Sequence, residues 1–255
     1  MHFAGYVICA TPRSGSTLLC DLLTATGVAG RPNSFYRRQS IANWIERFGL
    51  STAGGTGGPD FERAYLAATI AEGTGDTGCF GTRMMAETRG ELLARLDGLY
   101  PGLPTDVARF EAAFGPLLYI HLSRPDRLAQ AISRVRAEQT GLWHMNADRS
   151  ERERVKQPQP AVYDADRLAA EIDAIVADDT GWNAWFRQQG IEPVRVTYEE
   201  LAADPRAVIA RILLALGRDP SAAAGITPRT AKMADAESAA WAARFLAEWG
   251  PVPAG

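Results

Sequence analysis

The sequence predicts an α/β protein in which a doubly wound parallel sheet has helices on both faces. Short apolar segments, typical of buried strands, alternate with longer segments whose apolar residues recur at helical spacing. The strand-like segments are 6–10, 78–87, 116–123 and 193–198. The first of them runs directly into a loop and a helix that resemble a P-loop-like anion site. The alternation and this junction together favour the doubly wound class.

Composition bounds the possible functions. With 255 residues, of which 46% are apolar, the chain can bury a substantial core, and we predict a single domain over residues 1–255. A net charge of −3 provides no general attraction for nucleic acid, so an anion site requires a local arginine cluster. No apolar stretch approaches the ~20 residues of a membrane span, and no leader segment is recognisable. We therefore expect a cytoplasmic protein with no transmembrane segment.

The loop after the first strand reads Thr-Pro-Arg-Ser-Gly-Ser-Thr over residues 11–17. A strand, a tight loop and a helix direct free backbone N–H groups and the positive helix end at one point, where a phosphate or sulfate fits. The spacing Gly-x4-Gly-Lys-[Ser/Thr] of ATP-hydrolysing loops is missing, and no Lys follows the glycine. We predict that the anion is bound by Arg13, Ser14, Gly15, Ser16 and Thr17, without a metal.

Two local structures are predicted between the first helix and the second main strand. A helix stop at Gly27 is followed by Val28 and Ala29, which we interpret as a minimal strand. Asp60 is predicted to cap a helix that reaches Ala71, after another helix over 39–48 and a glycine-rich loop.

The three cysteines, which show no metal-ligand spacing, are expected to be buried thiols (Cys9, Cys20 and Cys79).

The strand over 78–87 ends with a cation and a carboxylate, Arg83 and Glu87. If this strand is parallel to the first, both residues lie near the same carboxyl edge as the anion loop. Helices are predicted at 89–96 and 105–114, before the strand at 116–123.

The second half continues the alternation, with one interruption. One predicted helix begins at Asp126, and a second begins at Asp164 or Asp166. A third predicted helix ends near Gly217, and a C-terminal helix includes residues 238–245. From 140 to 163 the periodicity is lost, and we predict a lid or substrate loop that contains Trp143 and His144. The charged run at 151–154 is interpreted as solvated helix surface.

Two further residues complete a pattern with the loop. Arg124 ends the strand at 116–123, and Ser133 follows nine positions later on the next helix. This pair resembles the 3′-phosphate-binding element of sulfotransferases that use 3′-phosphoadenosine 5′-phosphosulfate (PAPS), and the loop over 11–17 resembles their 5′-phosphosulfate-binding loop. Arginine offers a planar fork of donors to a phosphate, and serine adds a short neutral donor.

The chain resembles the bacterial trehalose sulfotransferase family over nearly its full length. The matching segments are Arg-Ser-Gly-Ser-Thr-Leu-Leu, Ala-Thr-Gly-Val-Ala-Gly at 25–30, and segments 121–133, 181–186, 215–217 and 238–241. The resemblance implies direct transfer of a sulfonyl group from PAPS to the hydroxyl of a sugar or glycolipid acceptor, and it suggests a homodimer.

One position departs from that family. The resemblance places a glutamate, proposed as the general base, where this chain has Ser34, and a second acid nearby is replaced by Arg31. A neutral hydroxyl is a poor base at pH 7. As replacements we rank Glu87 first, because Arg83 on its strand matches a family lysine near the sulfonate, then His144, and then His121, which we expect to pack in the core.

Two alternative functions stay open at the level of sequence. A small-molecule kinase would need ATP, Mg²⁺ and the missing lysine motif. A non-catalytic protein that binds PAPS or carbohydrate fits the missing glutamate.

Overall fold

The computed structural model describes residues 3–52, 55–229 and 233–252. Strands and helices alternate along most of the chain. In order they are β1 Gly5–Ala10, α1 Ser16–Ala25, α2 Arg38–Arg47, α3 Pro59–Thr74, β2 Phe80–Met85, α4 Arg89–Leu99, α5 Asp106–Phe114, β3 Leu117–Ser123, α6 Arg127–Thr140, β4 Leu142–Met145, β5 Glu151–Arg154, α7 Ala165–Gln189, β6 Val194–Thr197, α8 Tyr198–Ala203, α9 Pro205–Ala215 and α10 Ala236–Trp249.

A parallel sheet with the strand order β2-β1-β3-β6 forms the centre of the described part of the chain. The last residue of β1, Ala10, is level with Met85 of β2 and Leu122 of β3. The segments that follow these strands therefore leave the sheet at one edge. Since β2 and β3 lie on opposite sides of β1, this edge includes the point where the strand order reverses, the usual ligand position in open α/β sheets.

Alternate residues of β1 contact two separate cores. Tyr6, Ile8 and Ala10 pack with buried leucines and isoleucines of α1 and α9. Val7 and Cys9 pack on the opposite face against a second core, with aromatic residues from α3, α5 and α7 and leucines from α4. Because successive side chains of a strand point to opposite faces, helices cover both sides of the sheet. The predicted doubly wound α/β class is confirmed.

Two local predictions near the N-terminal half are wrong. Val28 and Ala29 form no strand, because Gly27 and Gly30 on either side both adopt a φ of 70° and bend the chain. The edge contact with β2 is made instead by Asn33, which bridges to Thr82. Asp60 does not cap α3, which begins one residue earlier at Pro59 with Gly58 as its N-cap.

The segment after α6 contains an antiparallel hairpin of β4 and β5. The charged run over 151–154 is therefore a strand, and its interpretation as helix surface is wrong. Its alternating Glu and Arg side chains fit a hairpin that is largely exposed, where no apolar face marks the strand. The three cysteines are buried, as predicted.

Within the described residues, no helix is both long and apolar enough to cross a membrane. The same residues contain no group of three or more His, Cys, Asp or Glu side chains arranged to hold a metal ion.

Candidate active site

A cavity of about 1020 Å³ opens at the carboxyl edge of the sheet. The segments that follow β1, β2, β3 and β6 all contribute to its wall, and the β4–β5 hairpin covers one side. Its lining brings together nearly all of the residues that the sequence predicts for the site: Arg13, Gly15, Ser16, Thr17, Ser34, Arg83, Glu87, Arg124, Ser133 and His144.

The anion loop is held from below by buried polar contacts. Ser14 donates its hydroxyl to the Thr11 carbonyl at 2.8 Å. The amide of Gln130, on α6, donates to Thr11 Oγ1 at 2.9 Å and to the Pro12 carbonyl at 2.7 Å. Ser14 and Gln130 are fully buried, so both act as supports of the loop rather than as surface groups.

The first turn of α1 faces the cavity with its N–H groups available. Gly15 is the N-cap, at a φ of 89°, and among the described residues no side chain caps this helix. A Cβ at position 15 would lie 2.6 Å from Tyr198 Cδ2, so glycine is also required by packing. An uncapped helix start with a positive dipole end is suited to an anion.

Arg13 lies at the centre of the site. Its Nε donates to Ser133 Oγ at 2.9 Å, and its guanidinium also donates to the carbonyl of Trp143 in the hairpin. Burial, followed by the nearby charge of Arg124, lowers the pKa of Arg13 to about 10. Since this pKa is well above 7, the buried side chain is still protonated at neutral pH and keeps its positive charge in the cavity.

Arg124 is fixed beside Arg13. Its side chain is 11% exposed, with its guanidinium carbon 4.4 Å from the centroid of the Tyr198 ring. One nitrogen donates to the Arg13 carbonyl at 3.3 Å. The Nε is buried, forms no hydrogen bond within the described residues, and lies 4.0 Å from Glu199. A planar donor with a buried unbonded N–H is suited to an additional acceptor such as phosphate.

Arg83 connects three hydroxyl groups. It donates to Ser34 Oγ at 2.7 Å, to Ser16 Oγ at 3.2 Å and to Thr17 Oγ1 at 3.0 Å. This guanidinium thus joins the loop after α1 to the first turn of that helix. Ser34 is buried and serves as an acceptor for a permanent cation.

His144 extends from the hairpin to the helix start. Its Nε2 lies 3.2 Å from Thr17 Oγ1 and 3.5 Å from Glu153 Oε2. Burial lowers the pKa of His144 to about 3, with further contributions from four arginines, of which Arg13 and Arg83 are the largest. The imidazole is therefore neutral at pH 7 in the absence of an anion.

The two other predicted base candidates lie apart from the loop. Glu87 lines the cavity, and the ion pair that it makes is with Arg134, at 3.8 Å. His121 is buried in the sheet, 3.0 Å from Arg195, and it contacts the Phe186 ring. Burial and the charge of Arg195 lower the pKa of His121 to about 4, as expected for a neutral core histidine.

Sequence reasoning missed several residues of the cavity wall. Tyr198 directly follows β6, just as Arg124 directly follows β3. Its place at the end of a strand was therefore a usable signal. Arg37 and Glu153 also line the cavity. Glu153 was hidden in a charged run that carries no strand pattern.

Comparison with known proteins identifies a family for this chain. The family described as Stf0 sulphotransferase matches residues 5–248. This chain belongs to the Stf0 sulfotransferase family. The sulfotransferase is 31% identical over 266 residues to trehalose 2-sulfotransferase of Mycobacterium tuberculosis (strain ATCC 35801 / TMC 107 / Erdman), covering 95% of this chain and 94% of that protein. It is 32% identical to trehalose 2-sulfotransferase of Mycolicibacterium smegmatis, covering 96% and 95%.

Two solved structures share a looser similarity with the sulfotransferase. One is the sulfotransferase domain of the Synechococcus PCC 7002 olefin synthase, with 16% identity, a TM-score of 0.49 and coverage of 100% of this chain and 90% of that one. The other is a sulfotransferase from Alicyclobacillus acidocaldarius, with 14% identity, a TM-score of 0.46 and coverage of 97% and 94%. The family match over residues 5–248 and the two trehalose 2-sulfotransferases confirm the predicted family resemblance and the predicted enzyme class.

Proposed function

We propose that the enzyme transfers the sulfonyl group of PAPS to a hydroxyl of a sugar, and that trehalose is the first acceptor to test because both curated relatives are named for it. The observation that carries the donor assignment is the position of Arg13. It contacts Ser133 through its side chain and Arg124 through its carbonyl. The element predicted for the 3′-phosphate thus lies against the loop predicted for the 5′-phosphosulfate.

The electrostatics of the cavity support a donor with several negative charges. The pKa of Arg13 and that of His144 are both lowered, and neighbouring arginines contribute to both shifts. Such a cluster of cations is unfavourable without anions and is stabilised when phosphate and sulfate groups enter it. The donor set contains guanidinium, hydroxyl and backbone N–H groups, which fit phosphate and sulfate oxygens.

In this proposal each group has a role in an in-line transfer. PAPS supplies an activated sulfonyl group whose leaving group is the 5′-phosphate. Arg13 and the N–H groups of residues 15–17 stabilise the charge that grows on that phosphate, and preorganised donors of this kind supply the largest contribution in such reactions. The N–H of Ser14 already donates to the Thr11 carbonyl at 3.3 Å, so Ser14 supports the loop instead of binding the anion. Arg124 and Ser133 bind the 3′-phosphate. Arg83 is placed to contact the sulfonate oxygens.

Three sequence-predicted candidates for catalytic contacts at the acceptor side stay predictions: Glu87, His144 and Ser34. Ser34 is a weak base, because it is a neutral hydroxyl whose oxygen already accepts a hydrogen bond from Arg83. The cytoplasmic location and the homodimer, both expected from the sequence analysis, belong to the same proposal.

Titration and turnover together test the function. Isothermal titration calorimetry with adenosine 3′,5′-bisphosphate should show binding without Mg²⁺, and radiolabelled sulfonate should pass from PAPS to trehalose or to another sugar in an acceptor panel that includes glycolipids. Preferential binding of ATP with Mg²⁺ would indicate a kinase. Binding of the bisphosphate with no transfer to any acceptor would indicate a non-catalytic binding protein.

A further inference from the structure

A second, smaller cavity of about 380 Å³ adjoins the large one. Its wall is formed by α1, the segment 31–33, the ends of α2 and α3, and the β4–β5 hairpin. The wall is mostly polar, with acids, arginines and one aromatic ring, a mixture suited to an acceptor with many hydroxyl groups: Asp21, Arg31, Asn33, Trp44, Arg47, Glu72 and Arg152.

Four residues line both cavities: Thr17, Arg83, His144 and Glu153. They mark the junction at which a molecule in the smaller cavity meets one bound at the anion loop. Thr17 and Arg83 belong to the donor side, where the hydroxyl of Thr17 already accepts from Arg83. The junction therefore contains two groups able to take a proton, the imidazole of His144 and the carboxylate of Glu153.

The environment of Glu153 leaves its oxygens accessible. It lies opposite His144 in the hairpin register, and its side chain is 40% exposed. The neutral imidazole of His144 lies 3.5 Å from its carboxylate and Arg37 lies 3.8 Å from it, and within the described residues the carboxylate makes no hydrogen bond. A carboxylate held loosely by two neighbours keeps lone pairs for an incoming hydroxyl.

His144 is less suited to accept this proton. Its Nε2 already contacts the Thr17 hydroxyl, and the arginines around it oppose the positive charge that protonation creates.

We propose that Glu153 is the general base of the sulfonyl transfer, in the role that Ser34 cannot perform; this inference rests on the proposed function. The acceptor oxygen forms a bond to sulfur, while the bond between sulfur and the bridging phosphate oxygen breaks and its electron pair stays on the phosphate. The acceptor hydroxyl proton passes to the Glu153 carboxylate. His144 positions that carboxylate from the opposite strand.

Glu153 is favoured over Glu87 by location. Glu87 lines the large cavity but not the smaller one. Its ion-pair partner Arg134 also binds Glu138 at 3.1 Å and Glu171 at 3.0 Å. That arrangement is a structural ion network between α6 and α7. Glu153 instead lies where the two cavities meet.

Glu153→Gln keeps the shape of the side chain and removes its basicity. We expect kcat to fall by about 10²-fold or more, with KM for PAPS and the affinity for adenosine 3′,5′-bisphosphate nearly unchanged. Glu151→Gln is the matched control, because Glu151 lies on the same strand, pairs with Arg154 and lines neither cavity. It should retain full turnover. Glu153→Asp should recover part of the loss.

The outcomes separate the two proposals. Wild-type enzyme that transfers no sulfonyl group to any acceptor refutes the proposed function, and with it the role of Glu153. An active wild type whose Glu153→Gln variant keeps its kcat refutes the base alone. A larger loss in His144→Gln or in Glu87→Gln than in Glu153→Gln assigns the base to that residue instead. Unchanged binding of the bisphosphate by Glu153→Gln shows that the variant is folded.

Discussion

Replacement of Arg124 by alanine should remove the ability of the enzyme to recognise the 3′-phosphate. The side chain is 11% exposed, stacks on Tyr198 and has a buried Nε without a hydrogen bond among the described residues. Wild-type enzyme should bind adenosine 3′,5′-bisphosphate at least tenfold more tightly than AMP, because in the proposed donor site both Arg124 and Ser133 bind the added phosphate.

The magnitude follows from the contacts. A hydrogen bond to a charged group contributes about 1.5–3 kcal/mol. Arg124 already uses one nitrogen on the Arg13 carbonyl, so the lower figure applies, and about 1.4 kcal/mol corresponds to a tenfold ratio. In Arg124→Ala we expect the ratio of the AMP dissociation constant to the bisphosphate dissociation constant to fall about tenfold, which leaves only the contribution of Ser133.

Calorimetry of both nucleotides on the same variant is the appropriate assay, because any general loss of stability affects both and cancels in the ratio. Arg37→Ala is the control. Arg37 lines the cavity and pairs with Glu153, so its loss should weaken both nucleotides equally and preserve the ratio. A wild-type preference that persists in Arg124→Ala would show that the 3′-phosphate binds elsewhere, and equal wild-type affinities would refute the 3′-site altogether.

Two further predictions concern Arg13 and His144. Arg13→Ala should reduce turnover more than it weakens bisphosphate binding, because the charge of Arg13 acts most when negative charge develops on the leaving phosphate. Arg13→Lys should have intermediate turnover. Normal turnover with poor binding would show that Arg13 only anchors the nucleotide. The pKa of His144, which is about 3 in the free protein, should rise when the bisphosphate adds negative charge beside Arg13. NMR titration of the imidazole protons measures this shift. An unchanged pKa would contradict ligand binding at this loop.

The sequence was most informative where local signals and chemical requirements coincide. The loop over 11–17 was recognisable because an apolar strand, a glycine and a helix start follow one another, and the structure places Gly15 at a φ that glycine favours. Arg83 and Arg124 were found because Arg83 lies near the end of a parallel strand and Arg124 directly follows one, and parallel strands end at one edge of a sheet.

Other parts depend on tertiary contacts that have no local signal. Gln130 supports the loop across 118 and 119 positions of sequence, and nothing in its helix marks that role. The strand β5 consists of charged residues, so only its pairing with β4 shows it to be a strand. Glu153 is consequently visible as a site residue only when the hairpin is folded over the helix start.

The helix α6 has a consequence for how new specificities can arise in this enzyme. Gln130 holds the loop after β1, and Ser133, less than one turn further on, contacts Arg13. In the proposed donor site, this one helix therefore fixes the distance between the loop assigned to the 5′-phosphosulfate and the serine assigned to the 3′-phosphate. The acceptor side is built mainly from other segments, including the hairpin. If the proposed sites are correct, exchange of hairpin residues that do not contact the anion loop should alter which alcohol is sulfated and leave donor binding unchanged.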